Sequence, residues 1–295
     1  MTVLRRTLDV AGVTARAPAA LDVLVAGRHL YDRASHGYVR LGAAGESAVF
    51  DRVVDAYAAV FASPVHVDVP EQLDAAAALE RLGTGFVDDV AASVEREFGI
   101  HVVQADNVGG DCSIQVAGRR VILVGTTSNW FFSTWSIAHE LGHILRGDLT
   151  DGPPASPRTV ERAANAFAAE LLMPARFIES VDWSAIGESE LADLVWRRGV
   201  SSTALAQRLR SLKQEVGPVA HRLLSGRTAA LVRRGAILRR DPGLLVRRVA
   251  ASSVPRFPEE LVEAHRTAVA EGGIGQDHLD WMLARPGTDD VGRHR

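Results

Sequence analysis

Hydrophobic residues recur at helical spacing over much of the chain. Between Glu46 and Phe61 the apolar positions repeat every three or four residues, which predicts a helix near the N-terminus. Leu21–Tyr31 is interpreted as a further helix. From Pro70 onwards the pattern is sharper and predicts helices at Leu73–Leu82, Phe86–Phe98, Phe132–Leu145 and from Pro157, capped by Ser156, to about Met173.

Three short apolar segments interrupt these helices and predict a small sheet. Ile100–Gln104 has the composition of a buried strand, and Ser113–Val116 and Arg120–Gly125 flank a turn at Ala117–Gly118, which predicts a hairpin. The sequence therefore predicts an α+β fold, with a small antiparallel sheet packed on helices and helical extensions at both ends.

The amino-acid composition argues against a disulfide-stabilised protein and against a membrane-spanning protein. The chain has 295 residues, 47% of them apolar, a net charge of −3 and a single cysteine, Cys112. A disulfide framework within the chain is excluded, and no apolar segment approaches the ~20 residues of a membrane-spanning helix. Charged residues interrupt any signal-peptide core, so the expected location is the cytoplasm.

Positive charge is concentrated between residues 196 and 248. This segment has twelve arginines and one lysine against two acidic residues, Glu215 and Asp241. Such a segment suits an anionic partner such as DNA, and it equally suits a solvated, arginine-rich helical surface. Both interpretations stay open at the level of sequence.

The strongest chemical signal is His139-Glu140-Leu141-Gly142-His143 within a predicted helix. Residues four apart lie on one helical face, so the two imidazoles can bind one Zn²⁺ ion. Glu140 follows the first ligand and is placed to act as a general base and then a general acid. The neighbouring positions are strongly apolar, so two histidines and a glutamate would be costly there without a partner or a metal.

A catalytic zinc site needs a third protein ligand, which the next predicted helix can supply. Glu161 and Glu170 are nine residues apart and so point to opposite sides of that helix. Asn165 shares the face of Glu161 and can orient a ligand histidine through a hydrogen bond. We therefore predict Glu161 as the third ligand, Asn165 as its support and Glu170 as a structural carboxylate.

Two segments of the sequence resemble the ImmA/IrrE metallopeptidase family. One is Ala138–Leu145 around the histidine pair, and the other is Glu161–Pro174, which has the sequence ERAANAFAAELLMP. The resemblance covers about Leu73 to Leu212 and implies a zincin-like, gluzincin-type core. It also implies that His139, His143 and Glu161 bind zinc and that Glu140 is catalytic. Characterised family members cut DNA-binding repressors, so it implies such a substrate and the derepression of genes.

A helix–turn–helix-like pair follows the predicted peptidase core. Residues 191–209 have the apolar spacing of two short helices, with Ser201 or Ser202 as a cap. In a DNA-binding protein Thr203, Gln207 and Arg208 would lie near bases or phosphates. A purely structural helix pair has the same spacing of apolar residues, so both interpretations stay open.

These observations predict four regions and one leading function. The regions are an N-terminal helical region of unknown role at 1–70, a zinc metallopeptidase core at 71–185, the helix pair at 186–214 and a mostly helical C-terminal region at 215–295. The leading function is endopeptidase cleavage of a protein substrate, which we expect to pair with the strand Val121–Val124. The alternative is a zinc-containing transcriptional regulator that binds DNA or protein and has little peptidase activity.

Overall fold

A computed structural model describes residues 4–6, 21–26, 29–32, 37–40, 48–61, 72–149 and 157–284. The prediction of an α+β fold is confirmed: helices dominate the chain and surround a small sheet. The predicted boundary between residues 70 and 71 and the predicted cap at Ser156 lie outside these ranges. The division into four regions stays a prediction.

The central sheet is built on a hairpin. Its strands are β5 (His101–Ala105), β6 (Cys112–Val116) and β7 (Arg119–Gly125). Ala117 and Gly118 connect β6 to β7 with positive φ angles of 50° and 76°, as a two-residue hairpin turn requires. The predicted hairpin is confirmed.

Strand pairing differs from the predicted antiparallel sheet. β7 pairs antiparallel with β6 but parallel with β5, so the sheet is mixed. β5 and β6 lie on opposite sides of β7, and β5 runs in the same direction as β7. With a partner on each edge, β7 has no free edge for an extended peptide. The expectation that a substrate pairs with Val121–Val124 is therefore wrong.

The N-terminal region contains strands as well as a helix. β1 (Leu4–Arg6) and β2 (Leu21–Ala26) extend the sheet to the order β1-β2-β6-β7-β5, while β3 (His29–Asp32) and β4 (Gly37–Arg40) form a separate pair. The helix interpretation of Leu21–Tyr31 is wrong. The segment LDVLVA is rich in β-branched residues, and Gly27 follows it, which favours a strand. The predicted helix near residues 46–61 is confirmed as α1 (Ala48–Val60).

Four helices around the sheet follow the predicted positions closely. They are α2 (Ala75–Leu82), α3 (Val90–Phe98), α4 (Trp130–Leu145) and α5 (Pro157–Leu172), with a 3₁₀ turn at Phe86–Asp89 before α3. Side chains of Asp74, Asp89 and Asn129 accept hydrogen bonds from free main-chain amides at the starts of α2, α3 and α4.

Short helices complete the fold. They are α6 (Ala175–Glu179), α7 (Glu188–Arg198), α8 (Ser202–Ser211), α9 (Pro218–Leu224), α10 (Thr228–Val232), α11 (Ala236–Arg240), α12 (Gly243–Ser252), α13 (Glu259–Ala270) and α14 (Asp277–Leu283). Helices account for most of residues 218–283, whereas the end of the predicted C-terminal region, 285–295, lies outside the described ranges.

The sheet separates two apolar clusters. The larger contains α2 to α5 and extends into α7 and α8, whereas the smaller joins α1, α13 and α14 to the other face. Because both faces are covered, every residue of β5 is buried. Within the described ranges, every helix is too short or too polar to cross a membrane.

Candidate metal centre

The histidine pair lies on the buried helix α4. His139 and His143 are one turn apart, and their Nε2 atoms are separated by 3.2 Å. His143 is fully buried and His139 is partly exposed, so the pair is reached from the surface on the side of His139. The apolar residues of α4 are buried in the core and fix the helix there. The position of the face that carries the two histidines is fixed with it.

A close contact between α4 and α5 brings the third residue to the pair. A Cβ atom at Gly142 would lie only 3.0–3.2 Å from the side chain of Phe167 on α5. Glycine between the two histidines therefore lets the helices approach closely. This approach places the Glu161 carboxylate, buried at 6% exposure, beside both imidazoles.

Donor atoms of these three residues converge on one point. His139 Nε2 lies 3.2 Å from Glu161 Oε2, and His143 Nε2 lies 3.5 Å from Glu161 Oε1. Ligands at ~2.0–2.1 Å in a tetrahedral zinc site are about 3.3 Å apart. The three observed separations match this edge length, so His139, His143 and Glu161 fit a metal ion of this size.

His143 is held by a carboxylate on its other side. Its Nδ1 lies 3.0 Å from Asp148 Oδ2, so Nδ1–H donates to Asp148 and the Nε2 lone pair is directed at the metal position. Metal-bound histidines are commonly oriented in this way. His139 Nδ1 is buried and, within the described part of the chain, has no hydrogen-bond partner.

The surroundings of His143 favour its positively charged form. Burial lowers the pKa of His143, but hydrogen bonds to Asp148 and Glu161 outweigh it and raise that pKa to about 10. The excess of negative charge around the pair thus favours a cation between the side chains. A divalent metal satisfies the same electrostatic demand.

Glu140 lies beside the two histidines and is buried in the domain. It is 2% exposed, and its Oε2 accepts a hydrogen bond of 2.8 Å from the Ser113 hydroxyl on β6. Burial raises the pKa of Glu140 to about 7, against the opposing effects of His139, His143 and the Ser113 hydrogen bond. A carboxyl group with this pKa can exchange protons near neutral pH.

Asn165 and Glu170, the two other polar residues selected on α5, have different surroundings. Asn165 donates from Nδ2 to the main-chain carbonyl of Glu161 at 2.9 Å and so braces the turn of α5 that carries this ligand. Glu170 is remote from the cluster: it accepts from the amide of Ala175 and pairs with Arg208. These contacts give Glu170 a structural role between α5, α6 and α8.

The helix pair α7–α8 packs against the core. Ser201 caps α8 by accepting from the amide of Ala204. Thr203 and Gln207 are exposed, but Arg208 is largely buried, donates to the Met173 carbonyl and pairs with Glu170. Its guanidinium is therefore occupied within the domain. The prediction of a DNA contact at Arg208 is not supported by this arrangement.

Two residues beside the cluster escaped the sequence analysis. Asp148 follows His143 by five positions in a loop, and a carboxylate close after the second histidine was the available signal. Ser113 is far from Glu140 in sequence, and no local pattern indicates that β6 and α4 bring them together.

Comparison with known proteins places this arrangement in a family. Residues 95–210 match the family model described as Peptidase M78, IrrE N-terminal-like domain. The match includes β5, the hairpin, α4, α5 and the pair α7–α8. No curated protein and no solved structure matches the chain significantly. Residues 95–210 are therefore an IrrE N-terminal-like peptidase domain, and the His139–His143–Glu161 cluster lies within it.

Proposed function

We propose that this protein is a zinc-dependent endopeptidase with a zincin-like, gluzincin-type site. The observation that carries the proposal is the convergence of His139, His143 and Glu161 at the spacing of a tetrahedral metal site, with the buried Glu140 next to them. Two nitrogen ligands and one carboxylate suit zinc and leave a fourth position for a reactant.

Each side chain has a distinct role in this proposal. His139, His143 and Glu161 hold the ion, and Asp148 and Asn165 orient the ligands. Bound zinc supplies a Lewis acid that polarises the scissile carbonyl and acidifies water. Glu140 accepts a proton from the attacking water on its Oε1 atom, because Ser113 occupies Oε2, and passes it to the leaving nitrogen.

The proposed substrate is a DNA-binding transcriptional repressor, whose cleavage derepresses its target genes. Support for this class comes from the family resemblance together with the peptidase domain. The competing regulator hypothesis assigns no chemical role to Glu140. It therefore predicts that removal of this carboxylate leaves the biological effect intact.

Metal content tests the ligand set. Purified wild type is compared with Glu161→Gln and with the matched control Glu170→Gln by elemental mass spectrometry. We expect about one zinc per chain in the wild type and in the control. Glu161→Gln should lose zinc, because the Glu161 carboxylate lies beside both histidines whereas Glu170 pairs with Arg208. A metal-free wild type after reconstitution with zinc would contradict the proposal.

Cleavage is tested in cells that express the wild type or Glu140→Gln, by proteome-wide comparison of newly formed protein N-termini. We expect Glu140→Gln to retain zinc and to lose on the order of 10²–10⁴-fold in rate, the usual contribution of a general base. A new N-terminus within a DNA-binding protein, present only with the wild type, would identify the substrate. Equal cleavage by both forms would refute the role of Glu140.

A further inference from the structure

A cavity lies on the opposite side of α4 from the metal cluster. It has a volume of about 1740 Å³, is partly open to solvent and is lined by residues of α2, the 3₁₀ turn, α4, α6, α7 and α12. Ligand pockets for small molecules commonly measure ~300–1,000 Å³, so this space holds a sizeable organic molecule. Among the residues of α4, the cavity is lined by Trp130, Ser133, Thr134 and Ile137, whereas His139 and His143 do not line it.

Much of the cavity wall is apolar. The contributing side chains are Leu79, Phe86, Val87, Ile137, Val181 and Leu194. They line the wall from α2 across α4 to α7. An organic group that replaces water against them is stabilised by the hydrophobic effect.

Three arginines of the wall already have acidic partners. Arg248 pairs with Asp88 and stacks on Trp130 and Trp196, Arg256 pairs with Glu95, and Arg247 pairs with Asp241. The pairs of Arg248 and Arg256 connect the C-terminal region to the 3₁₀ turn and α3, whereas that of Arg247 lies within the C-terminal region. Their charges are compensated within the protein.

Three other arginines of the wall have no such partner. Arg198 on α7 is half-buried, and its guanidinium lies 3.7 Å from the ring centroid of Phe177. Within the described ranges, no carboxylate lies within 4 Å of Arg198, Arg197 or Arg176. Burial lowers the pKa of Arg198, as expected for a partly desolvated cation without a counter-ion.

A buried hydroxyl at the same wall is also unsatisfied. Thr134 is 0% exposed, and its Oγ1 has no hydrogen-bond partner in the part of the chain that the structure describes. Buried polar atoms of folded proteins usually have a partner. Thr134 and Arg198 are both among the residues that line the cavity.

We propose that this cavity binds a small organic anion, with a carboxylate, sulfonate or phosphate group at Arg198 and an apolar body against the wall formed by α2, α4 and α7. The exposed side chains of Arg176 and Arg197 add positive charge at the cavity, whose lining also includes the carboxylates of Glu80, Asp89 and Glu190. The site is independent of the zinc ligands. Its test therefore does not depend on the proposed peptidase activity.

Binding is tested on the full-length, zinc-loaded protein with 1-anilinonaphthalene-8-sulfonate, an aromatic anion whose fluorescence rises in apolar surroundings. We expect one saturable site per chain. Decanoate should displace the dye, whereas decyltrimethylammonium, which has the same chain and the opposite charge, should not. Equal displacement by both competitors would show that charge plays no part and would overturn the proposal.

Variants locate the site. Arg198→Gln should weaken dye binding about tenfold, since a hydrogen bond to a charged group is lost. The matched control Arg233→Gln, an exposed arginine outside the cavity, should bind like the wild type. Ala251→Trp places a bulky side chain in the cavity from an exposed position of α12 and should abolish binding. Wild-type affinity in both Arg198→Gln and Ala251→Trp, or no saturable binding to the wild type, would refute the site.

Discussion

Two clusters of side chains in this molecule combine a buried histidine with a glutamate, yet they are organised differently. In the metal cluster, the donor atoms of His139, His143 and Glu161 point at one position. In the second cluster, polar groups form a chain: the Tyr57 hydroxyl bonds to His101 Nδ1 at 2.9 Å, and His101 Nε2 bonds to Glu260 at 3.1 Å. Convergent donors leave a position for a cation, whereas the groups of a linear chain satisfy one another.

The pKa values of the two histidines are shifted in opposite directions, that of His143 upwards and that of His101 downwards. Hydrogen bonds to Asp148 and Glu161 raise the pKa of His143 above 6.5, so in the metal-free protein its contribution to stability is complete below pH 6.5. This contribution is lost as the pH rises towards 10. Burial lowers the pKa of His101, so its contribution is present above pH 6.5 and is lost as the pH falls below that value. The two clusters respond to pH with opposite signs.

The largest expected effect concerns proton competition at the metal site. Binding zinc displaces the proton of His143, so the apparent Kd for zinc should fall about tenfold per pH unit between pH 6 and 9, roughly a thousandfold in all. Isothermal titration with a competing chelator of known affinity measures this slope. Zinc affinity that is flat across this range would show that no proton leaves with the metal.

A smaller effect on zinc affinity distinguishes Asp148, the partner of His143, from Glu260, the partner of His101. Asp148→Ala removes the acceptor of His143 Nδ1–H and should weaken zinc binding about 10–100-fold. Glu260→Ala, which removes the corresponding partner of His101, should leave zinc affinity unchanged. The same chelator titration checks both variants. Equal losses would mean that the two clusters are coupled through the fold.

The smallest expected effect lies in the linear chain. Tyr57→Phe removes a buried hydroxyl and leaves His101 Nδ1 without its partner, which should lower the free energy of unfolding by about 1–3 kcal/mol. Urea denaturation measures the change, and zinc content should remain that of the wild type. Loss of zinc in this variant would contradict the separation of the two clusters.

Local sequence patterns predicted much of the peptidase core. The helices around His139 and Glu161 depend on the spacing of apolar residues within one segment, and the hairpin depends on a two-residue turn. The structure brings together His139, His143 and Glu161, the three residues selected as ligands. This selection was possible because residues four apart share a helical face and because the two sequence signatures occur together.

Features that depend on distant contacts were not predictable in this way. The parallel pairing of β5 with β7 depends on strand order, which no local pattern encodes. The Ser113–Glu140 bond depends on how β6 lies against α4. The strand β2 was interpreted as a helix because a short apolar segment fits either period.

The contact between Gly142 and Phe167 bears on ion selectivity. It sets the separation of α4 and α5, and thus the short distances of 3.2–3.5 Å from Glu161 to the histidines. Ca²⁺ takes six to eight oxygen ligands at ~2.3–2.6 Å, whereas this cluster offers two imidazole nitrogens and one carboxylate. A glycine with no side chain of its own thereby helps to assemble a mixed nitrogen and oxygen ligand set that suits zinc better than calcium.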